Sequence, residues 1–229
     1  MTVSADTPAA RVALVAGAFD RRADPAPLGR ALAAAFARRG WDVALQCGPG
    51  AARADAEAAA ADVAALGRRA AVLDADLALE ADAATLIAAC GAALGRPACA
   101  VFVSACAGAD DAQTIDGATL AAATPDAARD DEALRACAIH VLDQALFHPA
   151  PAQLSHALMQ AALSRATSAL ALALAPKVRV AALVRGRAPH ADDIAAAACY
   201  LANAPGVTGA TLTVDGGEHL VPPADGPNE

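Results

Sequence analysis

The stretches AALSRATSALALALAPKVRV (Ala161 to Val180) and VTGATLTVDGG (Val207 to Gly217) decide how this chain folds. In the first, an Ala- and Leu-rich segment predicts a long helix from Pro151 to Ala175. Pro176 closes it, because proline has no N–H to continue the ladder. Val178 to Val184 then reads as a strand that is apolar on both faces. In the second stretch, Ala210 to Val214 reads as a closing strand, ended by the turn Asp215-Gly216-Gly217. A helix from Asp192 to Leu201 lies between the two strands. Strands apolar on both faces and separated by helices imply a parallel sheet covered on each side.

The same rhythm runs back to the N-terminus. Strands are predicted at Val12 to Val15, Trp41 to Cys47, Ala70 to Leu73, Cys99 to Val103 and Ala138 to Leu142. Helices are predicted at Leu28 to Arg39, Ala51 to Leu66 and Ala81 to Leu94, each followed by a glycine (Gly40, Gly67, Gly95) suited to end it. Right-handed crossovers then give an α/β fold, a Rossmann-type doubly wound parallel sheet of seven strands. One domain over 1–229 is expected, with frayed ends at about 1–10 and 221–229. Gly108 to Arg135 breaks the rhythm and reads as a mobile loop, with Asp130 to Ala136 its helical part.

Composition excludes several classes. A formal charge of -8 and 3% aromatic residues argue against a nucleic-acid surface and against an anionic membrane. About a third of the chain is Ala, which lifts the hydrophobic fraction to 57% without implying a span. The most apolar stretch, Ala161 to Pro176, is interrupted by Arg165, and Met1 to Ala10 has no signal-peptide pattern. The six cysteines form no C-x-x-C pair, which suits buried reduced thiols in a cytoplasmic protein. His140, His148, His156, His190 and His219 are scattered, so no metal site is expected.

The two opening stretches resemble the long helix, sixth strand and D-G-G turn of the short-chain dehydrogenase/reductase (SDR) family, and the resemblance runs from Arg11 to about Leu220. The strand Ile139-His140-Val141-Leu142-Asp143 is most similar to the pteridine-reductase branch. In that family a Tyr donates a proton to the substrate carbonyl as hydride arrives, and a Lys four residues on lowers the Tyr pKa and holds the cofactor ribose. This chain has one Tyr (Tyr200) and one Lys (Lys177), which cannot form that pair. The resemblance places His156 at the Tyr position, Gln160 at the Lys position and Asp143 at the position of the substrate-polarising Ser. An imidazole can give or take a proton near neutral pH, whereas a carboxamide supplies no charge.

The resemblance also implies NADP(H) or NAD(H) as cofactor and no metal. Gly17 and Gly29 would bound its pyrophosphate loop, Arg21 and Arg22 could grip a phosphate, and Asp76 matches the adenine-contacting Asp. Against this, Pro25 and Pro27 remove N–H donors and Asp20 and Asp24 repel phosphate. The family's Asn-Asn-Ala-Gly motif stands here as Ala105-Cys106-Ala107-Gly108. About thirty residues from Gly108 to Ile139 replace a long helix, and Gly186-Arg187-Ala188-Pro189 leaves no room for a substrate lid, which shortens the substrate region. Two functions follow. One is an SDR-like protein that has lost turnover and acts by binding or assembly. The other is an NADP(H)-dependent reductase of the pteridine-reductase type, with His156 or Asp143 as substitute donor. A homodimer or homotetramer and a small-molecule ligand are the expected partners.

Overall fold

A computed structural model describes residues 11–19, 26–48, 53–77, 79–103, 136–187 and 190–221. Seven strands make one sheet: β1 (Val12–Ala16), β2 (Asp42–Cys47), β3 (Ala70–Asp74), β4 (Pro97–Val103), β5 (Ala136–Asp143), β6 (Val178–Arg185) and β7 (Thr211–Val214). Their order is β3-β2-β1-β4-β5-β6-β7, and every neighbouring pair is parallel. The chain is therefore a Rossmann-type doubly wound sheet, with its topological switch point between β1 and β4.

Both faces of the sheet are covered. One face carries Ala13, Val15, Val43, Leu45, Val101, Ile139 and Leu183 under helices α1 (Ala26–Arg38), α2 (Arg53–Ala65) and α5 (Ala191–Asn203). The other carries Leu14, Ala44, Phe102, Ala138, Leu142 and Val180 under α3 (Glu80–Ala93) and α4 (Leu154–Leu174). Adjacent strand residues point to opposite faces, so a strand sandwiched between helix layers must be apolar throughout. β5 was expected to start at Ala138, but it starts at Ala136. Ala136, expected to end a helix, is buried in the strand and registers with Val178. The expected loop, 108–135, lies outside the described residues.

Local devices hold the ends of the sheet away from the site. Trp41 is buried at the start of β2, edge-on to Phe36 at 5.2 Å, with the Arg11 guanidinium 4.0 Å above its ring. Arg179 is buried in β6 and donates to the carbonyls of Leu201, Ala202 and Ala204, so its cation caps the C-terminus of α5. Cys47, Cys90, Cys99, Cys137 and Cys199 are buried free thiols. The segment Pro151–Leu174 is one helix long and apolar enough to cross a membrane. Its inner side nonetheless carries buried Gln160 and Thr167 against the sheet, as expected of a core helix.

His140 is the polar exception inside β5. Its Nδ1 lies 2.7 Å from Thr167 Oγ1, whose hydroxyl already donates to the Leu163 carbonyl, so the imidazole N–H donates to the threonine. Burial pushes its pKa down to about 4. The unfolded chain takes up a proton near pH 6.5 that the folded chain refuses until about pH 4, so stability falls as pH drops through that window. His140→Leu should remove up to about 3 kcal/mol of this acid-labile stability. Urea unfolding at pH 7 and pH 4.5 checks this; equal pH losses in wild type and variant would refute it.

Candidate active site

Open α/β sheets present their loops and side chains at the C-terminal ends of the strands. Asp143 is the last residue of β5, at that edge. Its Oδ1 accepts from the Ala145 N–H at 2.9 Å and caps the short 3-10 turn Gln144–Leu146. A second 3-10 turn, Pro151–Gln153, leads the chain into α4 and brings His156 back over the strand end. His156 Nε2 then donates to Asp143 Oδ2 at 2.6 Å, a short bond of the kind an ionised acceptor makes. The two side chains are 10% and 12% exposed, so water screens the pair little.

One helical turn further, Gln160 is fully buried and its Oε1 accepts from the Asp143 backbone N–H at 3.1 Å. The structure thus brings His156, Gln160 and Asp143 together. The sequence nominated each position separately; their mutual contact is a finding. With Nε2–H committed to the carboxylate, the second ring nitrogen of neutral His156 carries the lone pair. That atom, Nδ1, is buried and has no hydrogen-bond partner among the described residues. An imidazole oriented by a carboxylate through one nitrogen can accept a proton at the other or, when charged, give one. Lys177 sits just before β6, at the opposite edge of the sheet, roughly 25 Å of strand away, and Tyr200 lies exposed on α5.

The nucleotide side of the crevice is built differently from expectation. Gly17 has φ +75°, and a Cβ there would lie 2.1 Å from the Val103 carbonyl oxygen, so the close approach of β1 to β4 demands glycine. Its N–H donates to Gln46 Oε1 at 2.8 Å, and Gln46 Nε2 donates to the Ala75 carbonyl at 2.7 Å. Gln46 is buried at the end of β2 and cross-links the ends of three strands. Gly29 faces the buried Phe19 ring, where a Cβ would come within 2.7 Å. Asp76 follows β3, with its N–H held by Asp82 Oδ2 at 2.9 Å. Arg21 and Arg22 lie outside the described residues. Sequence reading missed Gln46; a lone polar residue in the apolar run Val43-Ala44-Leu45-Gln46-Cys47 was the available signal.

A dinucleotide fits this crevice in part. The unpartnered imidazole nitrogen supplies a proton-transfer group at the β5 end, and Asp76 is in place beyond β3. The Gly17 N–H is already bonded within the protein. Among the described residues no group of three or more His, Cys, Asp or Glu could hold a metal ion.

Comparison with known proteins agrees with the fold. Residues 111–214 match the model of an SDR-like family described as short chain dehydrogenase-like protein. No curated protein matches the sequence. Among solved structures, FolM alternative dihydrofolate reductase 1 from Brucella suis, in complex with NADP, is similar with 25% identity and a TM-score of 0.71, over 92% of this chain and 96% of that one. The Brucella canis protein of the same name, also complexed with NADP, gives 25% and 0.73 over 95% and 97%. A short-chain dehydrogenase/reductase from Serratia marcescens shares the fold, at 22% identity and a TM-score of 0.75 over 92% and 98%. The resemblance to the short-chain dehydrogenase/reductases therefore holds in sequence over 111–214 and in fold over most of the chain.

Gln46→Leu should strand the buried Gly17 N–H and Ala75 carbonyl, at a cost on the order of 2–4 kcal/mol. Denaturant unfolding measures it; a change under about 0.5 kcal/mol would show that the bridge does not hold the three strand ends.

Proposed function

We propose that this chain is an NADP(H)-dependent oxidoreductase of the SDR type, in which His156, held by Asp143, performs the proton transfer that a phenol performs elsewhere in the family. The observation that carries the reading is the 2.6 Å bond between Asp143 and His156 at the end of a central strand, with the far imidazole nitrogen buried and unpartnered. The two FolM structures, each complexed with NADP, support a cofactor of that kind and a substrate with a reducible pterin-type ring.

The residues that would hold the cofactor are those of the Gly17 turn and Asp76. When bound, it supplies the hydride. The remaining chemistry belongs to the chain. Protonated His156 gives the Nδ1 proton to the substrate atom that gains electrons, and neutral His156 takes it back in the reverse direction. Asp143 fixes which ring nitrogen is left for the transfer and stabilises the imidazolium. Gln160 holds the strand end that carries Asp143. Gln160 supplies no positive charge, and Asp143 would pair with protonated His156.

A second reading, binding or assembly without turnover, is favoured by one observation: the Gly17 N–H is satisfied by Gln46 rather than left for a ligand. Both readings take the protein as cytoplasmic and as a homodimer or homotetramer. Leu154, Leu158 and Leu172 on the outer side of α4 are exposed, which suits a helix-on-helix contact between copies.

NADPH consumption with dihydropterins and quinones tests the proposal. Wild type should turn over at least one such substrate, His156→Ala should lose about 10²–10⁴-fold in kcat, and NADP(H) should raise the melting temperature by several degrees. A melting shift without turnover across the panel would establish the binding reading. No shift and no turnover would reject the oxidoreductase.

A further inference from the structure

Asp215 follows β7 and is 2% exposed, yet it carries the densest set of donors near the site. Its Oδ1 accepts from the Gly217 N–H at 2.8 Å. Its Oδ2 accepts from the His219 N–H at 2.9 Å, from His219 Nδ1 at 2.8 Å and from Gln144 Nε2 at 3.2 Å. Burial pushes this carboxyl up, but the Gly217 and His219 N–H bonds and the His219 imidazole outweigh it and leave the pKa at about 2. Gly186, at the end of β6, is glycine because a Cβ would lie 2.9 Å from Asp215 Cβ. The Arg187 N–H donates to Glu218 Oε2 at 2.9 Å, so the D-G-G turn is also fastened to the end of β6.

One of those donors matters for the chemistry. Gln144 is the residue after Asp143 and the first of the turn that Asp143 caps. A second contact runs beside it: the Phe147 and His219 rings lie 5.2 Å apart at 33°. The closing turn of the chain therefore grips the segment 144–147 at both ends, by a charged hydrogen bond and by a ring contact. Asp143 cannot rotate its carboxylate off His156 without moving the turn it caps, and that turn is tied to Asp215.

We infer that Asp215 is a positioning residue for the Asp143–His156 pair, acting through Gln144. The inference rests on the reading of that pair as the working group, but its test does not need turnover. In proton NMR the His156 Nε2–H, bonded to a carboxylate, should give a downfield, slowly exchanging resonance, assigned by its loss in His156→Gln. Gln144→Leu and Asp215→Asn should each speed exchange of that proton at least about tenfold, the size expected for losing a hydrogen bond to a charged group. If turnover is present, kcat should fall in both with KM nearly unchanged. Asn203→Ala, which removes a bond to the Cys199 carbonyl on α5, should lower stability without touching the resonance. Should Asp215→Asn fail to fold, Gln144→Leu and Phe147→Ala, the latter at a half-exposed ring, carry the test. An unchanged His156 resonance in folded Gln144→Leu would overturn the inference. Absent NADPH turnover with the resonance shift intact would reject only the oxidoreductase reading.

Discussion

A carboxylate at the end of a buried parallel strand must find donors or leave the interior, because an unpaired charge there costs several kcal/mol. Asp143 meets that demand with one oxygen on a backbone N–H and the other on an imidazole, while its own N–H is held by Gln160. Three chain segments converge on it: the strand, the 3-10 turn that follows and the first turns of α4. The inner side of α4 follows from this. His156, Gln160 and Thr167 recur at helical spacing and face Asp143 and His140 on β5, so the helix docks on the strand through polar contacts as well as apolar ones. Leu163 and Ala171 fill the gaps and give the seam its hydrophobic part.

The fold was legible because a sheet buried on both faces leaves a plain trace: short all-apolar runs separated by helices, the first three of them closed by a glycine. Boundaries shifted by a residue or two, at Ala136 and Pro97, where an Ala or a Pro gives no period to read. The family resemblance nominated His156 and Gln160 four residues apart on one helix, and the structure sets both against Asp143. The Asp143–His156 bond was not. Thirteen residues separate the partners, and two irregular turns set the geometry between them.

What the sequence hid most completely were single residues doing structural work. Gln46 reads as the end of a strand, but its amide joins three strand ends. Phe19 reads as part of a loop, but its buried ring is the reason residue 29 has no side chain. Asp215 reads as a turn residue, but four donors converge on its carboxylate. In each case the residue type fits an ordinary local role, and at least one partner lies 10 to 71 residues away along the chain. Periodicity and spacing carry no information on such pairs; only the topology that sets strand ends side by side does.

The residues at the three positions that the resemblance nominates make sense together. Where the resemblance implies a neutral hydroxyl, a phenol and an ammonium, this chain has a carboxylate, an imidazole and a carboxamide. Retaining a Lys at position 160, which is fully buried and in contact with Asp143, would put its ammonium beside the carboxylate in competition with His156. An ammonium paired with Asp143 would weaken the carboxylate as acceptor for the imidazole. Gln160 removes the rival while still holding the Asp143 N–H, so the carboxylate is left to orient His156. Loss of the lysine is thus what an imidazole-based site would require, and its absence alone does not argue for a silent scaffold.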